Sequence, residues 1–165
     1  MSYKTVPRSK AQIRGFVNRV REIFGIGPKD KLPVLSILEA LCSGLDDGGY
    51  TLEIVPIDSM RERYAETIPE SKIVRIRQDV YDRENPRDLF TVCHEIGHIL
   101  LHSNDTVSFA RENEHVKTYE NPEWQANTFA AEFLAPANMC RKMSIEEIMN
   151  TYGCSRQVAI IQHEG

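Results

Sequence analysis

Ile13, Phe16, Val17, Val20 and Phe24 recur at steps of three and four across residues 9–24. That spacing predicts one apolar face of a helix, with Gly25 as its stop. Val34, Ile37, Leu38 and Leu41 repeat the pattern behind Pro33, which suits a first helical turn, and Gly44 is the expected end. "LDDGGY" at residues 45–50 reads as a turn and "TLEIVPI" at residues 51–57 as a strand. "SMRERYAETIP" at residues 59–69 lacks a clean period and suits a short helix or an irregular loop. In "KIVRIRQDVY", Val74 and Ile76 alternate with Arg75 and Arg77, the period-two pattern of a strand with one buried face.

The period becomes helical again over residues 87–103. Residues 104–121 then show little periodicity and several acidic groups; a loop that long inside a domain is usually functional or mobile. A further helix starts at Pro122 with Asn121 as N-cap, carries Trp124, Ala126, Phe129, Ala130, Phe133 and Leu134, and ends at Pro136. Two short helices, residues 144–152 and 155–162, close the chain. The expected fold class is α+β: a small, mainly antiparallel sheet packed with helices. One domain is expected over residues 1–165, with a C-terminal helical pair at about 144–163.

Composition narrows the classes. The 165 residues suffice for one sizeable core, and 41% hydrophobic with 27% charged residues is ordinary for a water-exposed fold. A net charge of −4 argues against general binding to nucleic acid or an anionic membrane, since both need surplus positive charge. The first residues hold no apolar run, and no stretch approaches the roughly 20 apolar residues of a membrane span. Cys42, Cys93, Cys140 and Cys154 show no paired spacing, so a reducing cytoplasm is expected.

"FTVCHEIGHILLH", residues 90–102, carries the chemistry. On a helix His94 and His98 are neighbours on one face and can converge on one metal ion. Glu95 is rotated about 100° away and can reach a water on that metal instead. This is the HExxH arrangement: two imidazoles on Zn²⁺ and a glutamate as general base. The bland alternative is a helix with histidines on a wet face. Gly97 costs about 1 kcal/mol relative to alanine inside a helix, and one use for it is close approach of another backbone, such as a neighbouring strand or the substrate.

A catalytic zinc needs a third protein ligand. His102 lies about 12 Å from His94 along a continuous helix, too far for one tetrahedral ion, so it is read as a helix C-terminal residue favoured by the dipole. Glu123 in "NPEWQAN" is the better candidate, although a first-turn glutamate also complements the helix dipole. Asn127, one turn on, could hydrogen-bond the distal nitrogen of a ligand histidine.

"IRQDVYDRENPRDLFTVCHEIGHILLHS" together with "NPEWQANTFAAEFLAP" resembles the ImmA/IrrE family of zinc metallopeptidases over roughly residues 73–136. The resemblance implies a zincin-like active-site helix and a cytoplasmic, gluzincin-like endopeptidase. The implied substrate is a helix-turn-helix repressor, whose cleavage relieves repression of mobile-element or stress genes. It implies His94, His98 and Glu123 as metal ligands, Glu95 as catalytic base and Asn127 at a position where the family has Asn or Asp. The implied metal is Zn²⁺, with Mn²⁺ as the alternative that the sequence does not separate from it. Cys93 stands where the family often has alanine before the first histidine, and Ala135 where it often has methionine before the final proline. Cys93 is read as a small buried residue.

The oxyanion donor is unassigned; His102, His115 and Tyr119 are candidates by proximity in sequence alone. The strand at residues 72–78 is the expected edge for pairing with substrate, and the loop at residues 104–121 the expected rim. A rival reading takes "SIEEIMNTYGCSRQVAIIQ" as a helix-turn-helix, making the protein a DNA-binding or protein-binding regulator with a structural metal site. "VAII" suits burial better than contact with base edges, and Glu146 and Glu147 would repel phosphate, so direct nucleic-acid binding is not expected.

Overall fold

The computed structural model describes residues 2–42, 49–60, 63–103, 108–111 and 114–165. In chain order the elements are β1 (Tyr3–Lys4), α1 (Lys10–Ile23), α2 (Val34–Cys42), β2 (Thr51–Val55), α3 (Ile57–Met60), β3 (Ala65–Ile68), β4 (Ile73–Arg77) and α4 (Gln78–Arg83). There follow α5 (Pro86–His102), β5 (Ser108–Phe109), a 3-10 turn (Thr118–Glu120), α6 (Pro122–Leu134), α7 (Ala137–Cys140), α8 (Ile145–Tyr152) and α9 (Arg156–Glu164). The expected helix stop at Gly44, most of the turn at 45–50 and part of the 104–121 loop lie outside the described residues.

The class is α+β, but the three-stranded sheet is mixed rather than mainly antiparallel. Its order is β2-β4-β3, with β2 parallel and β3 antiparallel to β4. Parallel neighbours need a crossover, and residues 56–72, which hold α3 and β3, supply it. β3 lies in the segment read from sequence as helix or loop. β4 is central, so the strand expected to pair with substrate has both edges taken. β1 and β5 form a separate antiparallel pair.

The period-two pattern of β4 divides the faces of the sheet. Val74 and Ile76 are fully buried. On the opposite face Arg75 stands in register with Glu53 on β2 and Glu66 on β3, and it donates to both, at 3.1 and 3.2 Å. The inner face packs with α1, α2, α5 and α6 around Ile13, Val17, Leu38, Ile96, Phe129 and Phe133.

Caps fix where the two central helices begin. Asn85 accepts from the Asp88 amide ahead of α5, and Asn121 accepts from the amides of Glu123 and Trp124 ahead of α6; each cap contributes about 1 kcal/mol. At the other end of α6, buried Arg21 donates to the carbonyls of Phe133 and Leu134, which a helix C-terminus otherwise leaves unpaired.

Gly97 sets the distance between α5 and α6. A Cβ added there would lie 3.1 Å from Phe129 Cδ1 and 3.3 Å from both Cα and the carbonyl oxygen of Ala126. The backbone that approaches Gly97 is therefore that of α6, not a strand or a substrate. The C-terminal pair α8 and α9 joins a second buried cluster with Ala131, Ala135 and Cys140. Val158 and Ala159 are buried within it, while Ile160 and Ile161 stay exposed. Gln162 is tied to Glu132 and to the Ala135 carbonyl, so α9 uses this face to hold α6.

Candidate metal centre

The close approach at Gly97 lays the first two turns of α6 beside the middle of α5. Glu123 then bridges the two histidines. One carboxylate oxygen is 2.9 Å from His94 Nε2, the other 3.0 Å from His98 Nε2, and the two Nε2 atoms are 3.1 Å apart. Among the described residues, these three offer donor atoms that all lie within 4.8 Å of one another. A tetrahedral ion with bonds of about 2.05 Å sets its donor atoms roughly 3.3 Å apart, so two imidazoles and a carboxylate at these separations fit one. Three protein donors also leave a coordination position for water or substrate.

Hydrogen bonds from both histidines hold the Glu123 carboxyl well below the usual carboxylate range, against the opposing effect of desolvation. For His94, burial alone would lower the pKa. The hydrogen bond to Glu123 and the charges of Glu95 and Glu123 outweigh it, and the net direction is up. Asn127 Oδ1 accepts from His94 Nδ1 at 2.7 Å. Nδ1 thus keeps its proton on Asn127, and Nε2 points at Glu123 and His98, where it donates to the carboxylate when protonated and offers a lone pair when it is not.

Glu95 faces the sheet. Its Oε1 accepts from Thr67 Oγ1 at 2.7 Å, and the residue is 5% exposed. The register explains the contact. Thr67 pairs with Val74, so it shares the inner face of the sheet, while its neighbour Glu66 pairs with Arg75 on the outer face.

His102 ends α5, as expected, but it is buried. It is 2% exposed. Its Nδ1 lies 2.9 Å from His98 Nδ1 and its Nε2 2.9 Å from Gln125 Oε1. α5 is continuous through His102, as the distance argument against a third ligand from this helix assumed. Cys93 is fully buried, burial pushes its thiol far above the ordinary range, and it stands outside the cluster of His94, His98 and Glu123.

A cavity of about 540 Å³ opens over these groups, lined among others by Tyr3, Arg63, Thr67, Glu70 and Pro122. Of the three oxyanion candidates only His102 reaches its lining. The sequence reading missed Thr67, Tyr3 and Arg63. Thr67 was legible only through recognition of β3, whose alternation over four residues is too short to stand out. Tyr3 arrives from β1, nearly a hundred residues from the motif, with no local signal.

No helix among the described residues is long and apolar enough to cross a membrane. No curated protein matches the chain. Residues 49–162, more than half of the chain, match the IrrE N-terminal-like domain. This is a metallopeptidase family of the ImmA/IrrE type, and a peptidase implies a protein substrate. The match begins with β2 and ends within α9, so it spans the sheet, the paired helices and every side chain of the cluster, and the chain belongs to the IrrE N-terminal-like domain family.

Proposed function

We propose that the protein is a zinc-dependent endopeptidase, gluzincin-like in its HExxH-plus-glutamate ligand set, that acts in the cytoplasm on a helix-turn-helix transcriptional repressor and so relieves repression of mobile-element or stress genes. The observation that carries this reading is the meeting of His94, His98 and Glu123 within about 3 Å of one another, with Glu95 alongside. On this reading α5 is a zincin-like active-site helix. His94, His98 and Glu123 hold the metal, and Asn127 orients His94.

Bound there, Zn²⁺, or Mn²⁺ in its place, supplies Lewis-acid chemistry: it lowers the pKa of water and polarises a carbonyl. Glu95 accepts the proton of the attacking water and returns it to the leaving amine nitrogen. Thr67 fixes one carboxylate oxygen, so the second is oriented for that proton. β3 borders the cavity through Ala65, Glu66 and Thr67, and its edge away from β4 meets no strand among the described residues. An extended substrate can add there by backbone hydrogen bonds.

The test is cleavage of a co-expressed repressor, with and without a chelator. Glu95→Gln is expected to keep its metal and lose cleavage by at least about 100-fold, the scale of general-base catalysis. Glu123→Ala is expected to lose most of its metal at equal protein concentration. Full cleavage by Glu95→Gln removes the general base; full metal occupancy in Glu123→Ala removes the third ligand.

A further inference from the structure

Behind His98, on the side away from Glu123, runs a chain of buried polar groups that the reaction itself does not use. Gln125 is fully buried. Its Nε2 donates to the backbone carbonyls of Val6 and Tyr119, both at 2.8 Å. Its Oε1 accepts from Arg8 Nη1 at 3.0 Å and faces His102 Nε2 at 2.9 Å. Arg8 is itself held by a bond from Nη2 to the Leu101 carbonyl. A primary amide has two donor hydrogens and two acceptor lone pairs, and here all four are used. The amide cannot be reversed, because its NH₂ would then face the Arg8 donor and its oxygen two carbonyls.

We propose that His102 and Gln125 are positioning residues: they fix His98 in the tautomer that presents Nε2 to the metal. The proposal rests on the reading of His98 as a ligand. The argument runs outward from the backbone. Because Gln125 Oε1 can only accept, His102 must carry its proton on Nε2. His102 Nδ1 is then a lone pair, so across 2.9 Å His98 must donate from Nδ1. In the neutral imidazole, the form that binds a metal, His98 Nε2 is then the lone pair, directed at His94 and Glu123. The Val6 and Tyr119 carbonyls belong to backbone that is itself paired: the Thr5 and Arg8 amides donate to the carbonyls of Glu120 and Tyr119. The orientation of the ligand is thus anchored in the N-terminal segment, about ninety residues away in sequence. Outer hydrogen bonds of this kind are worth about 10–100-fold in metal affinity.

The experiment measures zinc affinity by competition with a chelator in the wild type, His102→Leu and His102→Gln, with ¹⁵N NMR of the imidazoles alongside. His102→Leu keeps an apolar volume but removes the acceptor, and is expected to weaken zinc by about 10–100-fold. His102→Gln can accept from His98 and donate to Gln125, and is expected to restore most of that affinity. In the wild type, loaded or metal-free, the ¹⁵N shifts are expected to place the His102 proton on Nε2. Wild-type affinity in His102→Leu, no rescue by His102→Gln, or a proton on His102 Nδ1 would each overturn the proposal. If the wild type binds no zinc at all, the metal-site reading fails, and the ¹⁵N shifts of the metal-free protein alone decide the tautomer chain. Those shifts also decide it should His102→Leu fail to fold.

Discussion

Gly97 lets α5 lie against α6 with the Ala126 carbonyl where a side chain would otherwise stand, whereas β3 meets β4 beneath a row of in-register ion pairs, Glu53, Arg75 and Glu66. The two walls of the cavity hold different parts of the chemistry. The helical wall is close-packed and carries every group proposed to hold or orient the metal. The sheet wall contributes Thr67 to Glu95, and charged groups pin its outer face. A close-packed wall responds to volume, a charged one to pH and salt. Damage to the first should therefore strike metal binding, and damage to the second should strike turnover or acid stability.

The largest effect is expected from Gly97→Val. The nearest atoms to the new Cβ include backbone of α6, which cannot rotate away. Overpacking of this kind costs about 2 kcal/mol, which in a chain of this size lowers Tm by roughly 4–8 °C. Because α6 carries Glu123, Asn127 and Gln125, zinc affinity should fall along with Tm. Thermal unfolding and a chelator titration check both. Unchanged affinity in a destabilised variant would mean that the helix spacing does not set the metal geometry.

The helical wall was also the more legible one. Apolar spacing gave α1, α2, α5 and α6 within a few residues, and Asn121 and Pro122 marked the start of α6. Glu123 and Asn127 could be named together because they lie one turn apart on one helix, a relation that sequence carries directly. Gln125 was missed although it sits between them. Its side chain points the other way, and its partners Val6, Arg8, Tyr119 and His102 are brought to it by tertiary packing. The burial of His102 was not legible for the same reason: it ends α5 as expected, but the residues that cover it come from distant segments. The sheet wall was harder to read. β4 declared itself through Val74 and Ile76, but β3 is four residues long with a glutamate and a threonine inside it. The parallel pairing of β2 with β4 skips over β3, and no local pattern records such a skip.

Thr67→Val isolates the sheet wall. The substitution keeps the branched shape and removes the hydroxyl that donates to Glu95. Loss of one such bond to a carboxylate is worth about 1.5 kcal/mol, or roughly tenfold in rate. kcat/KM for the repressor should fall by about that factor, while zinc content stays at the wild-type level. A fall in zinc content would tie Thr67 to the metal rather than to the base, and the division between the walls would fail.

The smallest effect concerns the outer face of the sheet wall, where β4 turns into α4. Arg77 grips Asp79 through two bonds, 2.6 and 2.7 Å, and Arg83 adds a third at 2.7 Å. The Arg77 hydrogen bonds hold the Asp79 carboxyl at about 2, below its ordinary value near 4. A carboxyl whose pKa is depressed by folding stabilises the fold where it is ionised in both states, above about pH 4. That contribution is lost as the pH falls through the interval from about 4 to about 2. Asp79→Asn should therefore lower Tm at pH 7, by less than Gly97→Val does because the pair is near the surface. The gap from wild type should close progressively on acidification below pH 4. Added salt at pH 7 should narrow the same gap and leave the Gly97→Val deficit in place, because a steric clash is not screened. A gap that holds constant to pH 2 would show that Asp79 acts through packing, and the contrast between a charged wall and a packed one would lose its basis.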